Sequence, residues 1–153
     1  MPVKKLKKFL DENHIEYVTI QHSLAFTTPR IAASAHISGK ELAKTVIIKV
    51  DGEMAMAVLP STFQVDFEQL KKATKAKNVE LAGEDEFKYL FPDCEIGAMP
   101  PFGNLYGMKV YVAETLAEDE EICFNAGSHT ELIQLTYKDF IRLVNPVIIR
   151  FST

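Results

Sequence analysis

The sequence predicts a mixed α/β (α+β) domain, a sheet with helices packed around it. Apolar stripes at helical spacing alternate with strand-like runs from end to end. An Asp51-Gly52 pair joins two apolar arms in the manner of a β-hairpin. No internal repeat, low-complexity tract or long Gly/Ser linker divides the chain, so its 153 residues are expected to form one domain, 1–153. A domain of this size buries roughly 68–70% of the surface its unfolded chain exposes. With 47% hydrophobic and 25% charged residues, that burial supports a core without metal or disulfide staples.

Val3, Leu6, Phe9 and Leu10 form an apolar stripe with lysines opposite, a first helix. A strand follows at 17–21. Thr28 then Pro29 reads as an N-cap with proline at the first helical position, opening a short helix through Ala35. Strands are expected at 44–50 and 53–59, joined by a two-residue type I′ turn, because Asp-Gly suits its positive φ angles. The second arm is almost wholly apolar, which predicts a central strand covered on both faces. A helix at 67–75, a strand at 79–82 and a helix at 84–91 come next, the last with acid in its first turn. Residues 91–107 hold three prolines and three glycines and are expected to form a long structured loop. Strands resume at 109–113, 121–124 and 131–135. Thr136 caps a final helix whose Tyr137, Phe140, Ile141 and Val144 fall at i, i+3, i+4 and i+7, and Asp139 makes a capping-box variant. A strand at 147–151 closes the chain.

The composition excludes collagen, coiled coil and disorder. The longest apolar runs, such as 55–59, are far too short to span a bilayer, and charges at Lys4, Lys5, Lys7, Lys8, Asp11 and Glu12 interrupt any signal-peptide core. A cytoplasmic protein without membrane association is expected. Seventeen Lys+Arg against twenty-one Asp+Glu give a net charge of −4, a poor balance for wrapping duplex nucleic acid, so no DNA partner is expected. A small contact with a nucleic-acid end stays open where cations cluster. Cys94 and Cys123 lack CxxC spacing and read as reduced core thiols. The four histidines lack metal-ligand spacing, and neither a metal nor another cofactor is expected.

Standard motifs are absent: Gly39-Lys40 lacks the first glycine and the Ser/Thr of a phosphate loop, and there is no HExxH, GxGxxG or GxSxG. Three other features could carry chemistry. Lys44 shares a strand face with Val46, Ile48 and Val50, so it either reaches water past the strand end or lines a cavity. Partial burial there would depress its pKa and fix a donor in place. Gly97-Ala98-Met99-Pro100-Pro101-Phe102-Gly103 is stiff and poor in long side chains, suited either to presenting backbone groups to a ligand or to turning the chain. Asn125-Ala126-Gly127-Ser128-His129 joins two strand-like segments and makes a tight turn with polar groups at its tip. Ser128 next to His129 is not a nucleophile and base by adjacency alone.

Together these features resemble the YbaK/EbsC family of aminoacyl-tRNA deacylases, related to the editing domain inserted in bacterial prolyl-tRNA synthetases. The likeness spans nearly the whole chain, from His22-Ser23 to the C-terminal helix. It implies a partly barrel-like mixed sheet surrounded by helices. It also implies hydrolysis, in trans, of the ester joining a wrong amino acid to the 3′ end of a tRNA. The family's lysine maps to Lys44, its GxxxP loop to Gly97–Pro101, and its GSH turn to Gly127, Ser128 and His129. Lys44 and His129 are the expected catalytic residues. Gly97, Pro100, Pro101, Phe102, Gly103, Gly127 and Ser128 are expected to bind substrate, with His22, Phe26 and Thr27 bordering the pocket. Two departures stand out: Thr45 replaces the Asn that follows the lysine in alanine-clearing relatives, and Pro100-Pro101 replaces the Ser-Pro of cysteine-clearing ones. The amino acid removed is thus open among alanine, serine, threonine, cysteine and unusual small residues. The expected partner is the acceptor end of aminoacyl-tRNA, gripped by lysines at 4, 5, 7 and 8 or at 71, 72, 75 and 77, or presented by a synthetase or elongation factor. The alternative is a non-catalytic adaptor of the same fold that binds a synthetase or nucleotide.

Overall fold

The Asp51-Gly52 turn sets the first long-range pairing. In the computed structural model, which describes residues 4–21, 42–118 and 120–153, Asp51 has φ 50° and Gly52 φ 86°. Both are positive, as a type I′ turn requires. Strand β2 (Leu42–Val50) and strand β3 (Glu53–Pro60) pair antiparallel in continuous register from Ala43 opposite Pro60 to Val50 opposite Glu53. The Asp51 carboxylate anchors the turn by accepting from the backbone N–H groups of Lys77 and Asn78, each at 2.9 Å.

The other elements are α1 (Lys4–Glu12), β1 (Val18–Gln21), α2 (Phe67–Thr74), β4 (Val79–Leu81), α3 (Glu84–Phe87), β5 (Lys109–Ala113), β6 (Glu121–Asn125), β7 (Glu131–Thr136), α4 (Tyr137–Val144) and β8 (Val147–Ile149). Eight described strands form one mixed sheet in the order β1-β7-β6-β2-β3-β5-β8, with β4 also pairing to β2. β2 is the hub of this arrangement. Its start runs parallel to β6, with Leu42 opposite Cys123 and Ala43 opposite Phe124. Its end runs antiparallel to β4 from Ile48 to Val50.

Period-two alternation sends β3 into two cores. Met56 and Val58 join the layer under α1 and α4, with Leu6, Leu10, Phe124 and Phe140. Ala55, Ala57 and Leu59 join Leu70 of α2, Tyr111 and Phe151 on the other face. The expectation of a central strand covered on both faces therefore holds. Cys123 is buried and Cys94 half-buried, and both are free thiols. Burial pushes the Cys94 thiol up to about 11.

The expected helix at 84–91 is shorter. It is α-helical only over α3, then tightens to a 3₁₀ turn at Lys88–Leu90. Pro92 is the reason, because its ring excludes the helical region for the residue before it, and Phe91 sits at φ −128°, ψ 60°. The loop that follows contains one 3₁₀ turn of its own, Gly103–Leu105, and another turn, Glu114–Glu118, follows β5. The expected helix from Thr28 to Ala35 lies outside the described residues.

Helix α2 begins at Asp66, whose carboxylate accepts from the N–H groups of Glu68 and Gln69 at 3.1 Å each. Asp66→Ala leaves those donors without a partner. It is expected to cost about 1 kcal/mol of unfolding free energy, measured by urea denaturation.

Candidate active site

The two glycine turns are one assembly. Glu95 donates its N–H to the carbonyl of Gly127 at 2.8 Å, and Gly127 donates its own to the carbonyl of Ala98 at 2.9 Å. Gly127 has φ 94° and Gly97 φ 86°, so both need the freedom of glycine. At Gly97 the approach is also close, since a Cβ there would stand 3.3 Å from Cε1 of His129.

His129 completes the joint. Its Nε2 lies 2.7 Å from the carbonyl oxygen of Ile96. A carbonyl only accepts, so Nε2 carries the proton and, in the neutral ring, Nδ1 keeps the lone pair. The backbone N–H of His129 donates to Glu95 Oε2 at 3.1 Å, and the same carboxylate oxygen lies 3.9 Å from Nε2. Ser128 is turned inward to its own loop. Its Oγ accepts from the Thr130 N–H at 3.4 Å and lies 3.3 Å from Thr130 Oγ1. That placement suits a turn-forming hydroxyl rather than a nucleophile.

The loop divides into an exposed rim and a buried root. Gly97 is exposed, whereas Ala98, Met99, Pro100, Pro101, Phe102 and Gly103 are buried. The Phe102 ring packs among Phe9, Phe124 and Phe140, with centroids 6.2, 5.4 and 5.6 Å away. A Cβ on Gly103 would meet Val110 Cγ2 at 2.5 Å and the Met108 carbonyl at 2.6 Å. Phe102 and Gly103 therefore hold the loop from beneath. Pro100 and Pro101 stiffen the span between the two levels.

Lys44 approaches this assembly along β2. The parallel register with β6 ends at Ala43 and Phe124. One step further brings Lys44 level with Asn125, two residues before Gly127. Lys44 is half-buried on the face it shares with Leu59 and Ile48. Desolvation by that burial lowers its pKa from the ordinary lysine value, and among the described residues no acid offsets it. Lys49, which the alternation places on the opposite face, is by contrast held by Glu86 at 2.6 Å and Glu80 at 3.2 Å. The structure thus joins the loop and the turn by direct bonds, and Lys44 follows the last β2–β6 pair, Ala43 with Phe124, on the approach to that turn.

Asn125 entered the sequence reading only as the first residue of the glycine turn, with no role of its own, and Glu95 did not enter it. Asn125 carried a signal: extending the period-two face of β6 from Cys123 puts a polar residue where the strand meets a glycine turn. Glu95 had none. His22, Phe26 and Thr27 lie outside the described residues. A groove of about 410 Å³ lined by His14, Tyr17, Gln134 and Arg142 lies at the opposite end of β6 and shows no such convergence. Among the described residues no cluster of His, Cys, Asp or Glu could hold a metal ion, and no helix is long and apolar enough to cross a membrane.

The family described as the aminoacyl-tRNA editing domain matches residues 22–143. A multifunctional Ser/Thr-tRNA deacylase, ProXp-y of Escherichia coli (strain K12), is 27% identical over 156 residues, covering 97% of this chain and 91% of its own. A proline–tRNA ligase of Bacillus mycoides (strain KBAB4) is 25% identical over 97 residues, covering 63% of this chain and 17% of the ligase. The crystal structure of a protein proposed as a trans-editing enzyme for prolyl tRNA synthetase superposes with a TM-score of 0.84. It is 16% identical and covers 99% of this chain and 96% of its own. The chain belongs to the aminoacyl-tRNA editing domain family.

Proposed function

We propose that residues 1–153 form one editing domain, a free-standing deacylase that acts in trans on tRNA carrying a wrong small amino acid. Its family makes it an aminoacyl-tRNA hydrolase. Water adds to the ester carbonyl, the bond to the terminal ribose breaks, and the ribose oxygen takes up a proton. The observation that carries the proposal is the Gly127 joint, which ties the Gly97 loop to the Ser128-His129 turn through two backbone bonds.

The ester is already activated, so catalysis needs a placed water and donors for the developing oxyanion more than a covalent nucleophile. The exposed rim at Gly97 supplies backbone close enough to receive the carbonyl or terminal ribose. Lys44 supplies a partly desolvated ammonium toward a phosphate, the carbonyl or the substrate amine. His129, with Nε2 committed to Ile96, offers only Nδ1 to the ribose or the water.

Substrates are drawn from alanine, serine, threonine, cysteine and unusual small residues. The similarity to a Ser/Thr-tRNA deacylase along nearly the whole chain favours the hydroxyl-bearing pair. The acceptor end is the part of the tRNA engaged, in the cytoplasm, either directly or presented by a synthetase or elongation factor. Lys4, Lys7 and Lys8 on α1, and Lys71, Lys72, Lys75 and Lys77 around α2, are exposed and available to phosphates. Lys5 is committed to the Leu105 carbonyl at 3.0 Å and the Tyr106 ring.

Incubating the purified protein with Ser-, Thr-, Ala- and Cys-tRNA tests the proposal. Faster release of at least one of these amino acids than in buffer is expected. An inert panel, together with tight binding to a synthetase, would establish the adaptor alternative instead.

A further inference from the structure

Asn125 closes β6 with an unusual polar group. The residue is only 6% exposed, and its Oδ1 is buried without a hydrogen-bond partner. Leaving a buried amide oxygen without a donor carries a penalty worth a factor of about 5 to 150 in an equilibrium. Such an atom calls for an explanation, and at the mouth of a functional turn a bound partner is one.

Strand geometry identifies its neighbour. Leu42 stands opposite Cys123 and Ala43 opposite Phe124 in the parallel pair, so the next step sets Lys44 beside Asn125. Residues paired across a sheet share a face. Ala43 and Phe124 both belong to the core under α1, which puts Lys44 and Asn125 together on the other face. The strands part here: β2 continues to its pairing with β4 at Ile48, while the chain after Asn125 turns away to Gly127. The fork is therefore flanked by an ammonium, which only donates, and an amide oxygen, which only accepts. The amide oxygen has no hydrogen-bond partner, and burial alone shifts the ammonium, with no acid among the described residues to offset it.

We propose that Lys44 and Asn125 together hold one substrate hydroxyl, which accepts from the Lys44 ammonium and donates to Asn125 Oδ1. A hydroxyl is the small group that satisfies both at once, whereas a methyl satisfies neither and a carboxylate only the lysine. This rests on the deacylase reading and makes Asn125 a specificity-determining residue within it. Two hydroxyls of an aminoacyl-tRNA have the required chemistry: that of a serine or threonine side chain, and the free hydroxyl of the terminal ribose. A site built around such a bond rejects an analogue lacking it far more sharply than a site that measures size.

The test is Asn125→Leu, close in shape but without the acceptor. Removing a buried orphan should leave the thermal midpoint at or above that of the wild type. Asn125→Val, suited to a strand, repeats the measurement should the Leu variant melt early. The readout is kcat/KM on Ser-tRNA and Ala-tRNA, each with a normal or a 2′-deoxy terminal adenosine. A loss of about 5- to 100-fold on Ser-tRNA, with Ala-tRNA unchanged, assigns the hydroxyl to the amino-acid side chain. An equal loss on both that vanishes with the 2′-deoxy ends assigns it to the ribose. Unchanged rates on all four substrates, or an equal loss that persists on the 2′-deoxy ends, overturns the proposal. A wild-type protein that cleaves none of them fails the deacylase reading itself, a result distinct from a cleaving wild type with an unaffected variant.

Discussion

Lys44→Met leaves the protein folded and removes most of its deacylase activity, by about 10²- to 10³-fold in kcat, the scale of losing one preorganised donor at an oxyanion. Two properties of the site produce that expectation. The ammonium is half-buried with no acid to answer it among the described residues, so its field is not spent on a neighbour. It also follows directly on Ala43, whose β6 partner Phe124 precedes Asn125 at the approach to the turn that holds His129. Lys49→Met is the control, since that side chain is engaged by Glu80 and Glu86 on the opposite face, and it should leave the rate within about twofold. Stability should move the other way at Lys44. Its folded pKa lies below its unfolded value, so the charged amine burdens the fold fully below the folded pKa. That burden fades as pH rises through the folded pKa and is gone above the ordinary lysine value. The Met variant should therefore melt at or above the wild type at neutral pH, with the gap closing at high pH. Activity that depends on the ammonium falls as pH rises through the same lowered pKa, earlier than for an ordinary lysine, and can be read after subtracting alkaline hydrolysis of the free ester. A Met variant that retains the wild-type rate would remove Lys44 from the mechanism.

Phe102→Ala is expected to be the most damaging single core change near the site, costing about 3–5 kcal/mol of unfolding free energy. The ring is fully buried and meets aromatic partners from α1, β6 and α4 at once. Its removal opens a void that those elements cannot jointly fill without breaking their own contacts. For a chain of this length the thermal midpoint should fall by on the order of 10 °C. The folded fraction should also turn over more slowly, because the same ring anchors the loop whose rim begins at Gly97. A change below about 1 kcal/mol would show that the core repacks around the gap and that the loop has another anchor.

Legibility in the sequence followed how local the physics is. The hairpin was readable because two consecutive positive φ angles leave few residue choices other than Asp-Gly. Helix α4 was readable because its cap and apolar stripe agree, and the Thr136 Oγ does accept from the Asp139 N–H at 3.1 Å. The 84–91 helix was overextended because the restraint from Pro92 acts backward on Phe91, against an otherwise helical composition. At the site, Lys44 and the glycines broke local rules and so announced themselves. The depth of Phe102 was not legible for the opposite reason: a loop has no periodicity to say which way a side chain points, and its cover comes from α1 and α4, distant along the chain. Asn125 was read as part of the glycine turn but given no role, because its surroundings depend on the β2–β6 register, a pairing across some eighty residues with no local code.

The pair of hydrogen bonds at Gly127 has a consequence for anyone redesigning specificity. Glu95, Ala98 and Gly127 behave as a rivet through two ribbons of chain, so widening or narrowing one ribbon drags the other with it. Swapping only the proline-rich segment from a relative would import half of a matched part. A graft that carries both segments, with the residue facing Gly97 chosen alongside them, is the smallest unit expected to transfer as a working whole.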